Sequence, residues 1–196
     1  GVGIYAVSFQ DPANEPLFGD KKINVTNTGN ITSNTGTKSV GIYLNNNKRL
    51  ATSDAKLNLG TGTINVKNSD NGIGVYADSI EISGGGNITV GRNGVGIYAK
   101  DSDLHLSGLN IYLHGDNSLG LYLEGDSNLW TGTGNIDIDG QNVVLYNIKT
   151  NVGTTINNNF TVTSSAGSTY TLGNINEGSV EYTGNSNLTS NGTLVS

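Results

Sequence analysis

Ser118-Leu119-Gly120-Leu121-Tyr122-Leu123 is the stretch on which the reading of this chain turns, because it recurs. Close copies are Gly1-Val2-Gly3-Ile4-Tyr5-Ala6, Ser39-Val40-Gly41-Ile42-Tyr43-Leu44, Asn71-Gly72-Ile73-Gly74-Val75-Tyr76-Ala77 and Gly94-Val95-Gly96-Ile97-Tyr98-Ala99. A worn copy is Val143-Val144-Leu145-Tyr146. The tyrosines at 5, 43, 76, 98, 122 and 146 are separated by 38, 33, 22, 24 and 24 residues, and one more step of 24 reaches Tyr170. A period of roughly 20–30 residues without a helical stripe marks stacked supersecondary units.

Outward from each tyrosine, further strand signals follow. They are Leu104-His105-Leu106 and Ile111-Tyr112-Leu113 in one repeat, a weak middle around Leu129 and then Ile136-Asp137-Ile138 in the next. Earlier repeats give Leu57-Asn58-Leu59 with Ile64-Asn65-Val66, and Ile80-Glu81-Ile82 with Ile88-Thr89-Val90. All alternate with period 2 and are bounded by Gly, Asn, Asp and Ser. The expected fold is all-β: a right-handed parallel β-helix, a solenoid with about 22–24 residues and three short strands per coil. Asn87, Asn110, Asn135 and Asn159 each precede the third strand signal at steps of 23, 25 and 24. They are expected to form a stacked amide column at a left-handed corner. Two repeats carry insertions after the tyrosine strand, near 7–22 and 45–56, and these should emerge side by side.

Composition narrows the function. The 196 residues include 29 Gly, only 13% charged residues, and a formal net charge of −6. An acidic chain lacks the basic stripe that nucleic acid requires, so no nucleic-acid partner is expected. No apolar run approaches the ~20 residues of a membrane-spanning helix. The chain has no Cys, so neither disulfides nor thiolate metal sites are available. No cofactor or metal site is expected: the nearest approach to a calcium-binding nonapeptide, Gly84-Gly85-Gly86-Asn87, lacks the Asp. With no Met, Gly at position 1 and unfinished repeats at both ends, the chain reads as a single β-helix segment, 1–196, of a longer one.

The candidate binding residues are the tyrosine row, Tyr76, Tyr98, Tyr122 and Tyr146, and the basic pair Lys48 and Arg49 in the second insertion. If Val, Ile and Ala of Val-Gly-Ile-Tyr-Ala face inward, Gly and Tyr face out together. The rings then form an outward row beside a glycine groove. Such rings can bind sugars on their faces or simply stack on one another. Asp137, Asp139 and a cross-coil pair of His114 with Asp139 are the other titratable candidates. A flat outer sheet offers them no cleft, so they are read as the polar outer side that solubility requires and the chain as a non-enzyme.

The Gly-aliphatic-Tyr repeats followed by Gly-Asn-Ile strands resemble, over roughly residues 1–165, the passenger repeats of large fusobacterial autotransporter adhesins. These are type V secreted proteins whose β-helical passengers are displayed on the outer membrane by a C-terminal β-barrel. The resemblance implies a surface-displayed adhesin segment that attaches to host cells or other bacteria. Its partner would be a surface glycan or protein, and the anchoring barrel would lie outside this segment. A passive spacer and a polysaccharide-degrading β-helix are the competing readings.

Overall fold

The structure, a computed structural model, describes residues 1–8, 22–34, 36–47, 52–150, 152–185, 187–190 and 192–194. Lys48 and Arg49, most of the first insertion and part of the second lie outside the described residues. The chain is nearly all β: its parallel strands stack as a solenoid, and the described residues include one short 3-10 turn, Thr52–Asp54.

Two sheets form the walls. The tyrosine sheet stacks β1 (Val2–Val7), β4 (Val40–Asn45), β7 (Ile73–Asp78), β9 (Val95–Lys100), β11 (Leu119–Glu124), β13 (Val143–Lys149), β15 (Thr169–Glu177) and β18 (Thr193–Leu194). The facing sheet is built on β8 (Glu81–Val90), β10 (Asp103–Leu113), β12 (Asn128–Ile138) and β14 (Thr154–Ser164). Shorter pieces continue it: β2 (Ile23–Thr26), β3 (Asn30–Thr32), β5 (Ala55–Asn58) and β6 (Thr63–Val66) on one side, β16 (Val180–Thr183) and β17 (Asn187–Ser190) on the other.

The three expected strands per coil are therefore two in the regular turns. The second and third signals fuse into one strand of 10 or 11 residues, interrupted by a shift of register near its middle. Glycine makes the kink without breaking the ladder: Gly84 and Gly108 take φ of 89° and 70° there.

The core is a line of aliphatic side chains. Ile42, Val75, Ile97 and Leu121 from the tyrosine sheet are fully buried, as are Leu57, Ile82, Leu104 and Leu129 from the facing sheet. At ~25 cal/mol per Å² such rungs supply the driving force, and each turn buries its faces only against its neighbours.

The corner before β7, β9, β11 and β13 is held by asparagine. Asn71, Asn93, Asn117 and Asn142 take φ of 58°, 54°, 58° and 56°, a conformation Asn tolerates better than most residues. The amides of Asn117 and Asn142 reach the carbonyls of Asn93 and Asn117 at 3.3 and 3.4 Å. The expected Asn87 column also forms, within the facing sheet just past the shift of register; the asparagines do not themselves take the left-handed backbone, which falls instead on Gly86 and Gly134 before two of them, with φ of 84° and 126°. Asn110 Nδ2 donates to Asn87 Oδ1 at 3.0 Å, and Asn135 Nδ2 to Asn110 Oδ1 at 2.7 Å. Asn159 is not its fourth member. Asn135 pairs with Thr161 and Asn159 with Thr133, because that coil is longer than the 24-residue step assumed. At the margins of the two insertions Lys22 Nζ lies 3.0 Å from Asp54 Oδ1; the expectation that the insertions emerge side by side falls mostly outside the described residues.

Candidate functional site

The outer face of the tyrosine sheet is built from three columns. In β4 the burial runs Val40 partly exposed, Gly41 and Ile42 buried, Tyr43 partly exposed, Leu44 buried, Asn45 partly exposed. β9 and β11 repeat it. Two successive residues point inward, so strict alternation fails once per strand. The expectation that Gly shares the outward face with Tyr, and Val the inward one, is corrected here. A Cβ on Gly41 or Gly74 would lie 2.3 or 2.5 Å from a methyl of Ile64 or Ile88 on the facing sheet, and 2.5 or 2.6 Å from the next glycine's carbonyl. Only glycine admits this approach. Val40, Ile73, Val95, Leu119 and Val144 are thereby turned outward as an aliphatic column.

The tyrosine column is a stack. Tyr5, Tyr43, Tyr76, Tyr98 and Tyr122 follow one another with centroids 5.2, 4.7, 5.1 and 4.6 Å apart and planes within 27° of parallel. Ring faces within the stack are covered by neighbouring rings, so the surface presents ring edges and hydroxyls. Stacking of sugars on the ring faces is closed to the inner members of this row. Tyr5 is 64% exposed, at the end of the stack.

Tyr146 does not belong to the row. β11 and β13 pair Leu121 with Tyr146 and Tyr122 with Asn147, which moves Tyr146 into the core at 2% exposure. A one-residue slip exchanges the two faces of a strand. Tyr170 is buried as well, but three positions earlier on its strand, paired with Val143, while Gly173 pairs with Tyr146. Burial pushes the Tyr146 phenol well above its ordinary range, and its hydroxyl finds no hydrogen-bond partner in the structure.

The third column was legible in the sequence but not read from it. The residue two after each tyrosine position stacks as Asn45, Asp78, Lys100, Glu124 and Lys149, and Glu177 follows across a shift of register, so the charge alternates from Asp78 onward. Lys100 Nζ lies 3.2 Å from Asp78 Oδ2, and this bond raises the lysine's pKa. Tyr98 donates its hydroxyl proton to Glu124 Oε2. Burial first, then that carboxylate, raises the Tyr98 pKa. Burial and Asp78 do the same to Tyr76.

The outer face of the facing sheet is polar. His114 Nδ1 lies 3.3 Å from Asp139 Oδ2, so the cross-coil pair is present, and Ser165 Oγ donates to Asp139 Oδ1 at 3.0 Å. The carboxylate stands between imidazole and hydroxyl. Activating a serine requires the base against the hydroxyl, and here both bind the acid instead. Asp137 lies beside this group in β12 and His105 is exposed in β10. Trp130 Nε1 donates to Asp103 at 2.8 Å. Among the described residues no group of three or more His, Asp or Glu side chains is placed to hold a metal. A cavity of about 220 Å³ at the Gly1 end, between Gly3, Ile31, Ser39, Gly41 and Val66, is lined by no titratable side chain among the described residues.

No family model, no curated protein and no solved structure matches this chain.

Proposed function

We propose that this chain is an adhesive β-solenoid, a segment of an autotransporter passenger displayed on the outer surface of a Gram-negative bacterium. In this reading it attaches the cell to host cells or other bacteria. The observation that carries the proposal is the tyrosine face, which presents aliphatic, aromatic and charged columns side by side along one side of a rod. Aromatic, partly exposed surface of this kind is the material of protein interfaces. The recurrence of Gly-aliphatic-Tyr, similar to that of fusobacterial passenger repeats, supplies the context of secretion, display and anchoring by a barrel.

The partner is a surface protein or glycan met through ring edges and hydroxyls, since the faces of the inner rings are occupied. The test is binding of the labelled chain to epithelial cells and to partner bacteria. The reading expects saturable binding that falls by tenfold or more in Tyr98→Ser/Tyr122→Ser while the β circular dichroism spectrum is kept. Absence of saturable binding by the folded chain would make the rod a spacer. A variant shortened over 45–56 separates the face from the insertions.

A further inference from the structure

The alternating charge column has a symmetry that bears on self-recognition. Its members, in stacking order, are Asp78, Lys100, Glu124, Lys149 and Glu177, one per rung. Consider a second rod laid face to face on the tyrosine sheet. A two-fold axis along the strand direction reverses the rod but leaves each column opposite its own copy. With that axis midway between the Lys100 and Glu124 rungs, Lys100 meets the partner's Glu124 and Glu124 meets the partner's Lys100. One rung further out, Lys149 faces the partner's Asp78. An axis placed on a rung opposes like charges instead, and an axis along the rod sets the charges against the aliphatic column. Charge complementarity thus selects the antiparallel arrangement with the axis midway between two rungs, and of those positions the one between Lys100 and Glu124 alone joins four unlike-charge contacts to tyrosine against tyrosine at its centre.

The other two columns accept that register. Tyr98 faces the partner's Tyr122, Val95 the partner's Leu119, and Ile73 the partner's Val144. Lys100 and Glu124 are partly exposed, with side-chain exposure of 39% for Lys100, and can exchange or share partners across the contact. Asp78 is only 7% exposed, so its part is to bias the field beneath Lys100. Six rungs ~4.8 Å apart and about six residues wide cover on the order of 500 Å² per rod. Two such faces reach the ~1,000 Å² at which a specific contact begins, in the weak and transient class.

We propose that two copies of this chain associate antiparallel through their tyrosine sheets, in the register set by Lys100 and Glu124. The proposal goes beyond adhesion to a foreign partner and does not require one. Antiparallel contact is also the geometry open to rods approaching from opposite directions.

The intrachain benefit of alternating charge, which avoids stacking like charges, could account for the column without any dimer. Charge reversal separates the two. Lys100→Glu and Glu124→Lys each place like charges opposite one another at two points of the homodimer. Each variant alone should therefore associate at least about tenfold more weakly than the natural chain. Mixed in equal amounts, they restore both attractive pairs. The double variant Lys100→Glu/Glu124→Lys also restores them, although it stacks like charges within each chain and should melt lower.

The measurement is sedimentation of the 196-residue chain from micromolar to millimolar concentration, at low and high salt, with circular dichroism to verify folding. Concentration-dependent dimers lost in each single variant and regained in the mixture support the proposal. A chain monomeric throughout, dimers indifferent to reversal, or a mixture that fails to recover overturns it. Cell binding by a strictly monomeric chain would leave the adhesive reading standing while this one fell.

Discussion

Tyr122 and Tyr146 stand 24 residues apart in two copies of one motif, yet one lies on the surface and the other in the core. The difference arises at a corner remote from either ring. Lys100 pairs with Glu124, a step of 24, but Asp103 pairs with Asn128, a step of 25. One extra residue enters in the corner of Gly125, Asp126 and Ser127, where Gly125 takes φ of 66°. When the chain returns to the tyrosine sheet it is displaced by one. Asn147 then inherits the tyrosine position, Tyr146 the core position of Leu121, and Leu145 the position of Gly120. What fixes a side chain's face in a solenoid is thus the count of residues around the coil, with the local motif secondary.

The glycine column is where this comparison breaks most sharply. Leu145 is accommodated in its turn, fully buried, where the facing strand carries Val162 in place of the isoleucine of earlier turns. Gly74 has no such room, with Ile88 and the Gly96 carbonyl already within 2.6 Å of a would-be Cβ. Gly74→Leu is expected to lower stability by roughly 3 kcal/mol or more, since the backbone itself must move. Urea denaturation followed by circular dichroism measures it. A midpoint unchanged from the natural chain would mean that the close approach at Gly74 is not a constraint.

Next in size is the stack. Tyr76 lies between Tyr43 and Tyr98 and touches both. Tyr76→Ser removes two ring contacts and their apolar area, an expected loss of about 2 kcal/mol. Tyr5→Ser, at the exposed end of the stack, should cost less than half of that. Equal losses at the two sites would show that the rings do not act through one another.

The architecture was legible because the strand signals alternate and the period is short. The outward tyrosines were legible through Tyr122. Tyr146 was misplaced because tyrosine served as the ruler. Asparagine at the preceding corner is the better one: Asn93, Asn117 and Asn142 advance by 24 and 25, and the second step contains the extra residue. A backbone held at positive φ and bonded to its copies reports the register, whereas an aromatic side chain is at home on either face. The outward aliphatic column was hidden for a different reason. Two adjacent inward residues violate period 2, and only the packed distance between Gly41 and Ile64 shows why the chain tolerates it. The charge column lay in plain view, but its alternation has meaning only after the register is known.

Hydroxyl removal sharpens the contrast between the two tyrosine environments, with effects of about 1 kcal/mol and opposite signs. Tyr98→Phe deletes a donor bonded to Glu124 and should destabilise by up to about 1 kcal/mol. Tyr146→Phe deletes a buried hydroxyl without a partner and should be neutral or stabilising by a similar amount. Thermal melts of the two variants decide it. A loss in Tyr146→Phe would mean that its hydroxyl is bonded in solution.

The smallest effect is the dependence on alkaline pH. Tyr76, Tyr98 and Tyr146 all have pKa values raised above the ordinary ~10 of the unfolded chain. Lys100 is raised as well, by its bond to Asp78. For each, the folded state holds its proton more tightly than the unfolded state. Their contributions are therefore complete below about pH 10 and are lost as pH rises toward the folded-state values. The melting temperature should be level to about pH 10 and fall above it. The two environments then part again. Tyr76 and Tyr98 are partly exposed, whereas Tyr146, enclosed in the core, ionises only as its turn opens. Tyr146→Phe should accordingly remove a phenolate step that coincides with loss of the β signal. If that step precedes unfolding, Tyr146 is accessible, and the register that places it opposite Leu121 is wrong.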